Sequence, residues 1–233
     1  MGLLDDIRKQ AEEIKRGQVN QHAVRVENIV AVERAMASML RYAADLFKQL
    51  EVVQPKNPIE YAIPNVATIG GLAFKEAFVD SRRKKIGDRE TYDYLTLMVT
   101  WAADAPVTAR FDMPPLVQRA RDVLWEHGLR FGEREVAVPG SSARGVELTI
   151  PRRLVTSLTV TANLENGSLD VKTRNLTRFG QDDFRIPIEQ FNDTVNEDVA
   201  QAVLGRRSGL GRFRAVLPRE ARRTTATPTL VAR

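Results

Sequence analysis

The stretch LTVTANLENGSLDVKTR, Leu158 to Arg174, decides the fold class. Apolar residues recur at every second position on either side of Asn166-Gly167. That is strand spacing, because successive side chains of a strand point to opposite faces. Asn-Gly is the favoured pair for a two-residue type I′ turn, which needs positive φ at both central residues. Such a turn sets a register in which paired residue numbers sum to 333, with Leu164 opposite Leu169, Ala162 opposite Val171 and Val160 opposite Thr173. The same register sets Asn163 opposite Asp170, Thr161 opposite Lys172 and Thr159 opposite Arg174. One face is apolar and the other polar, so turn chemistry and alternation agree on a hairpin. Its polar face looks at water or at a partner.

Further strands lie upstream. In Thr91 to Ala102, Leu95, Leu97, Val99 and Trp101 alternate with Tyr94, Thr96, Met98 and Thr100, as in a sheet with something on both sides. Leu72 to Val79 follows Gly70-Gly71 as another strand. Between these two lies DSRRKKIGDRE, Asp80 to Glu90, whose Gly87-Asp88 suits a turn. Arg82, Arg83, Lys84 and Lys85 therefore fall at or near a hairpin tip. Phe131 to Val138 and Phe184 to Ile188 read as extended, and PGSSARG, Pro139 to Gly145, as a loop.

Three regions carry helical spacing. Leu3, Leu4, Ile7, Ala11 and Ile14 mark the first, which Gly17 weakens or bends. From there Ile29, Val32, Met36, Met39, Ala43, Leu46 and Leu50 recur in steps of three and four, a heptad seam. A second row, Val26, Val30, Ala37, Leu40, Ala44 and Phe47, widens the stripe. Two readings follow: a helix lying on its own core, or an oligomerisation helix. Pro55, Pro58 and Pro64 end it. A second helix begins at Asp112 as N-cap with Pro114 and Pro115 in its first turn, runs through Leu116, Val117, Ala120, Val123 and Leu124, and stops at Gly128. A third starts with Thr194 and Glu197 as a capping box, continues through Val195, Val199, Ala202 and Val203, and ends at Gly205.

The expected class is α+β. A helical arm (1–54) and a connecting segment (55–71) precede a mainly antiparallel sheet with two covering helices (72–204). A basic, flexible tail (205–233) follows. Eight arginines against Glu220 alone give Gly205–Arg233 a net +7. The whole chain carries +5, so Met1–Leu204 carries −2. Basicity is a property of the tail.

Composition removes several activities. There is no cysteine, which excludes disulfides, thiol nucleophiles and cysteine-held metal centres. His22 and His127 are the only histidines, too few for a His-rich metal site and a poor basis for a triad. Neither a Walker loop nor a dinucleotide glycine fingerprint is present. Ser141 and Ser142 have no base nearby in sequence. Asp170-Val171-Lys172 has the acid-x-Lys spacing of metal-dependent nucleases, but an upstream carboxylate is missing and Glu13-Ile14-Lys15 repeats the triplet by chance. Asp182 and Asp183 read as a polar loop. No catalytic residue, cofactor or metal is assigned.

Two functions remain. The leading one is a non-catalytic subunit or adaptor that associates with itself or another protein through Ile29, Val32, Met36, Met39, Leu46 and Leu50 and docks its tail. The alternative is a nucleic-acid-binding accessory protein using Arg82, Arg83, Lys84, Lys85, Arg152, Arg153, Arg206, Arg207, Arg212 and Arg214, with Tyr92, Tyr94 and Phe213 as stacking groups. A metal-dependent nuclease comes third. Acids in MGLLDDIRKQAEEIKR break the apolar core of an export signal, and no apolar run is long enough to span a bilayer, so a cytoplasmic location is expected.

Overall fold

The computed structural model describes residues 3–138 and 144–215. Helix α1 (Leu3–Val53) leads into a small hairpin, β1 (Tyr61–Ile63) and β2 (Ala67–Ile69), inside the segment read as a connection. A long hairpin follows, β3 (Ala73–Ile86) and β4 (Arg89–Ala102). Next come β5 (Val107–Phe111), helix α2 (Pro114–Glu126), β6 (Gly132–Ala137) and β7 (Arg144–Ile150). The chain returns with β8 (Arg153–Asn163), β9 (Ser168–Arg174), β10 (Gln181–Pro187) and helix α3 (Asp193–Val203). A short 3₁₀ turn, Gly209–Phe213, lies beyond α3. The class is α+β, and every strand pairing is antiparallel.

The main sheet has strand order β10-β9-β8-β4-β3, and a second sheet has order β5-β7-β6. Alternation sorts the main sheet's faces as expected. Leu95, Leu97, Val99 and Trp101 of β4 join Leu158 and Val160 of β8, Leu169 and Val171 of β9, and Phe184 and Ile186 of β10 in one buried layer. The C-terminal half of α1 and helix α3 cover that layer. Val32, Met36, Met39, Phe47 and Leu50 of α1 are buried in it, each contributing roughly 1.5–3 kcal/mol by the area it withdraws from water. Helix α2 buries Val117, Ala120 and Leu124. The core is one cluster running from Val32 to Phe213.

The deciding hairpin forms, with a shifted register. β8 and β9 pair Asn163 with Ser168, Ala162 with Leu169, Thr161 with Asp170 and Val160 with Val171, so partners sum to 331 rather than 333. Four residues, Leu164 to Gly167, make the connection, and Gly167 alone of them has positive φ, +54°. The cause lies outside the hairpin. Asn28 of α1 donates its side-chain amide to the Leu164 carbonyl (3.3 Å), and Leu164 turns into the core. The Asn163 side chain accepts from the Asn166 backbone N–H at 3.2 Å, closing the loop locally. A shift of two residues keeps every side chain on its face, whereas a shift of one would have inverted them.

Other expectations are refined. Met113, not Asp112, is the N-cap of α2, and it makes no side-chain cap. Asn192, not Thr194, caps α3, accepting from the Val195 N–H. Glu197 is thereby free to accept from Tyr42 of α1 at 2.7 Å. The assigned helix runs unbroken through Gly17. Of the tail, residues 205–215 pack rather than float: Leu210 and Phe213 are buried, Arg214 bridges Phe184 of β10, and the Ala215 N–H donates to the Asp183 carbonyl. The remainder of the tail, 216–233, and residues 139–143 of the expected loop lie outside the described residues.

Candidate interaction surfaces

The heptad seam is turned inward. Val32, Met36, Met39 and Leu50 are buried, and Ile29 and Leu46 are half-buried against the same core. They hold α1 on its own sheet. This is the outcome for a stripe wider than a two-stranded seam requires. The exposed part of α1 lies N-terminal to it. Every described side chain from Ile7 to Arg16 is exposed, including Ile7 and Ile14, and Val24 is exposed as well. Contact with the body begins around Val26 and Asn28. The 25 residues from Leu3 to Glu27 make a helix about 37 Å long at about 1.5 Å per residue. Asp5 and Lys9, and Glu12 and Arg16, stand four residues apart, the spacing that supports an otherwise unsupported helix.

The basic cluster is in the strand near the hairpin end, with Ile86 paired to Arg89 across Gly87-Asp88. Its four cations do not form one patch. Arg83 lies over the Tyr92 ring (4.5 Å) and within 3.5 Å of Glu33 of α1 and 3.6 Å of Glu90. Lys84 pairs with Asp93 at 2.7 Å and, with Arg82 adding to the field, holds that carboxyl below the usual range. Arg82 and Lys85 pair with no acid among the described residues. A β-bulge between Arg82 and Arg83 breaks the alternation there.

The other expected nucleic-acid contacts are mostly engaged too. Arg152 donates to the Ala105 and Gly70 carbonyls, tying two loops together. Arg153 pairs with Glu76, Arg212 with Asp198 and Arg214 with Asp182. Arg206 and Arg207 are exposed beyond α3. Phe213 is buried under Arg212 and is not available for stacking on a base.

On the polar face of β8–β9, Asp170 accepts from Arg185 of β10 (2.7 Å) and from Asn163 (2.9 Å). Lys172 stands opposite Thr159 and Asp183. The acid of the Asp-Val-Lys triplet is thus committed to a guanidinium and an amide. Among the described residues no group of three or more acidic or histidine side chains converges as a metal site would. The second sheet carries a comparable ladder: Arg110, Glu147 and Arg134 face one another across its three strands, and the two guanidinium groups hold the Glu147 carboxyl below its usual range.

One buried polar network lies at the end of the main sheet. The Tyr61 hydroxyl donates to the Asn175 carbonyl (3.1 Å) and accepts from the Asn57 amide (3.3 Å). Thr156 donates to the same carbonyl and accepts from the Trp101 indole N–H. The Asn175 side chain donates to the Val155 carbonyl and accepts from the Gly180 N–H. This network joins four segments and supplies neither nucleophile nor base. The sequence reading missed it because its members are spread from Asn57 to Gly180.

The fold and surfaces define a two-layer α+β protein with one exposed helical arm. Compared with known proteins, the chain matches no family model, no curated protein and no solved structure. No described helix is long and apolar enough to cross a membrane.

Proposed function

We propose that the protein is a non-catalytic, cytoplasmic subunit that assembles through the N-terminal segment of α1, with itself or with a helical partner. The observation that carries this is the exposure of Ile7 and Ile14 on a helix whose other half is core. Leu4, Ile7, Ala11 and Ile14 follow steps of three, four and three, the spacing of a coiled-coil seam. An apolar stripe on an isolated helix gains stability when a second helix covers it. Of the ten cations reserved for nucleic acid, Arg83, Lys84, Arg153, Arg212 and Arg214 are paired with carboxylates and Arg152 with carbonyls, which favours association between proteins over phosphate binding.

The test is Ile7→Lys with Ile14→Lys. Both side chains are exposed, so the body keeps its unfolding temperature. By sedimentation the wild-type protein runs larger than one chain, or brings down a partner that the double variant does not. A wild-type protein that stays a single chain at high concentration and captures nothing that the variant loses removes this function.

A further inference from the structure

A cavity of about 560 Å³ opens where the second face of the main sheet meets the turn after α2. Its apolar wall is Met98 of β4, Leu129, and Val155 of β8. Its polar groups are Arg130, Arg153, Arg174, His127 and Ser157, and no acidic residue lines it. Arg153 is paired with Glu76 outside, at 2.9 Å. Arg130 and Arg174 pair with no carboxylate among the described residues. Asn175 also lines the cavity, but its amide is committed to the backbone and only shapes the wall.

The arginines are placed by the fold. Arg174 closes β9 opposite Ser157, and its guanidinium lies over the Gly128 turn, so close that a Cβ on Gly128 would sit 2.9 Å from it. Gly128 has φ +67°, a conformation L side chains rarely adopt, and so its backbone requires glycine. His127, the residue before it, is fixed by stacking on Phe179 with centroids 5.0 Å apart. The turn that ends α2 brings Arg130, and the end of β9 brings Arg174, to the wall of one hollow. The volume is in the range of small-ligand sites, which are apolar clefts oriented by a few polar groups. Guanidinium groups are suited to carboxylates through paired N–H donors.

We infer that this cavity binds a small carboxylate bearing an apolar chain, the headgroup on Arg130 and Arg174 and the chain against Met98, Leu129 and Val155. The inference is independent of the arm's role in assembly, since none of these residues lies on α1.

The experiment is calorimetric titration of the full chain with sodium decanoate, sodium acetate and decyltrimethylammonium. Decanoate is expected to bind once per chain at millimolar concentrations or below. Acetate, lacking the chain, and decyltrimethylammonium, with the opposite charge, are each expected to bind at least tenfold more weakly. Arg130→Ala with Arg174→Ala should weaken decanoate at least tenfold. Ser157→Asp, which puts a carboxylate on the half-exposed wall, should do the same if the arginine variant does not fold. The inference is overturned if decanoate does not saturate one site, if acetate or the cationic amphiphile binds as well as decanoate, or if folded Ser157→Asp or the double arginine variant binds it like the wild type.

Discussion

Replacing Tyr61 by Phe removes one oxygen from the buried network and leaves the ring's packing, including its tilted contact with Phe179 at 5.4 Å, in place. The hydroxyl's bonds to the Asn175 and Leu176 carbonyls and from the Asn57 amide are lost together. Asn175 keeps its bond from Thr156, so its carbonyl is not stranded. Asn57 is different: it is buried, its Oδ1 is held by the Ile59 N–H, and its amide loses the Tyr61 oxygen. A net hydrogen bond is worth about 1 kcal/mol and a stranded buried donor about 1–3 kcal/mol. The expected loss is therefore about 2–3 kcal/mol. For a chain of this length that is a fall in unfolding temperature of about 5–10 °C. Urea titration would show a lower midpoint with an unchanged slope.

The same variant carries a pH signature. Burial raises the Tyr61 hydroxyl above its ordinary 10.0. The unfolded chain then releases this proton first as pH rises past 10, so wild-type stability is full below that point and falls as pH climbs toward the folded value. Tyr61→Phe lacks this component. Tyr42, pushed up to about 12 by donating to Glu197, supplies a second alkaline loss between pH 10 and about 12 that Tyr61→Phe keeps. Stability of the two proteins should therefore converge above pH 10 without losing all slope. A variant within about 0.5 kcal/mol of wild type at neutral pH, or one whose deficit is the same at every pH, refutes the network as described.

Met39→Lys places an ammonium in the layer between α1 and the sheet, where Met39 is 1% exposed; loss of at least about 3 kcal/mol, seen as a collapsed unfolding transition, is expected. A folded variant of wild-type stability would return the seam to the surface. Reversing Arg83 and Lys84 to Glu removes the contacts to Glu33, Glu90, Tyr92 and Asp93 and sets like charges together, for about 1–2 kcal/mol of stability. The salt dependence of any nucleic-acid affinity of the full chain should stay as in wild type. A log–log slope smaller by roughly one unit per lost contact would make the cluster a phosphate grip after all.

What could be read from the sequence follows the range of the forces involved. Alternation along β4, β8 and β9 is local, and the faces it assigned are the faces found. The hairpin register depends on Asn28, which lies 136 residues from the carbonyl it holds, and no property of Asn166-Gly167 contains that contact. A rule about turns chose between shifts of one residue, which burial punishes, but not between shifts of two, which burial tolerates. The hairpin β1–β2 has strands of only three residues, Tyr-Ala-Ile and Ala-Thr-Ile, too short for a period to emerge. The heptad seam left two readings open because buried and intermolecular stripes share one spacing; only the sheet beneath α1 separates them. The cavity draws Met98, His127, Arg130, Ser157 and Arg174 from separate elements, and each is ordinary in its own stretch.

The exposed and buried halves of α1 are linked energetically as well as covalently. Starting a helix is the unfavourable step, because several residues must be fixed before the first hydrogen bond forms. In the folded chain Val32, Met36 and Met39 are pinned to the sheet and hold that part of α1 helical. The segment from Glu27 back to Leu3 then needs only propagation, one bond for each residue fixed, with its four-apart charge pairs in support. Gly17 costs about 1 kcal/mol against this and is the weakest residue of the run. A partner meeting Ile7 and Ile14 would thus meet a stripe already aligned, and less ordering would oppose binding than for a free peptide of the same sequence. Buried, the wide stripe holds the exposed segment in helical shape.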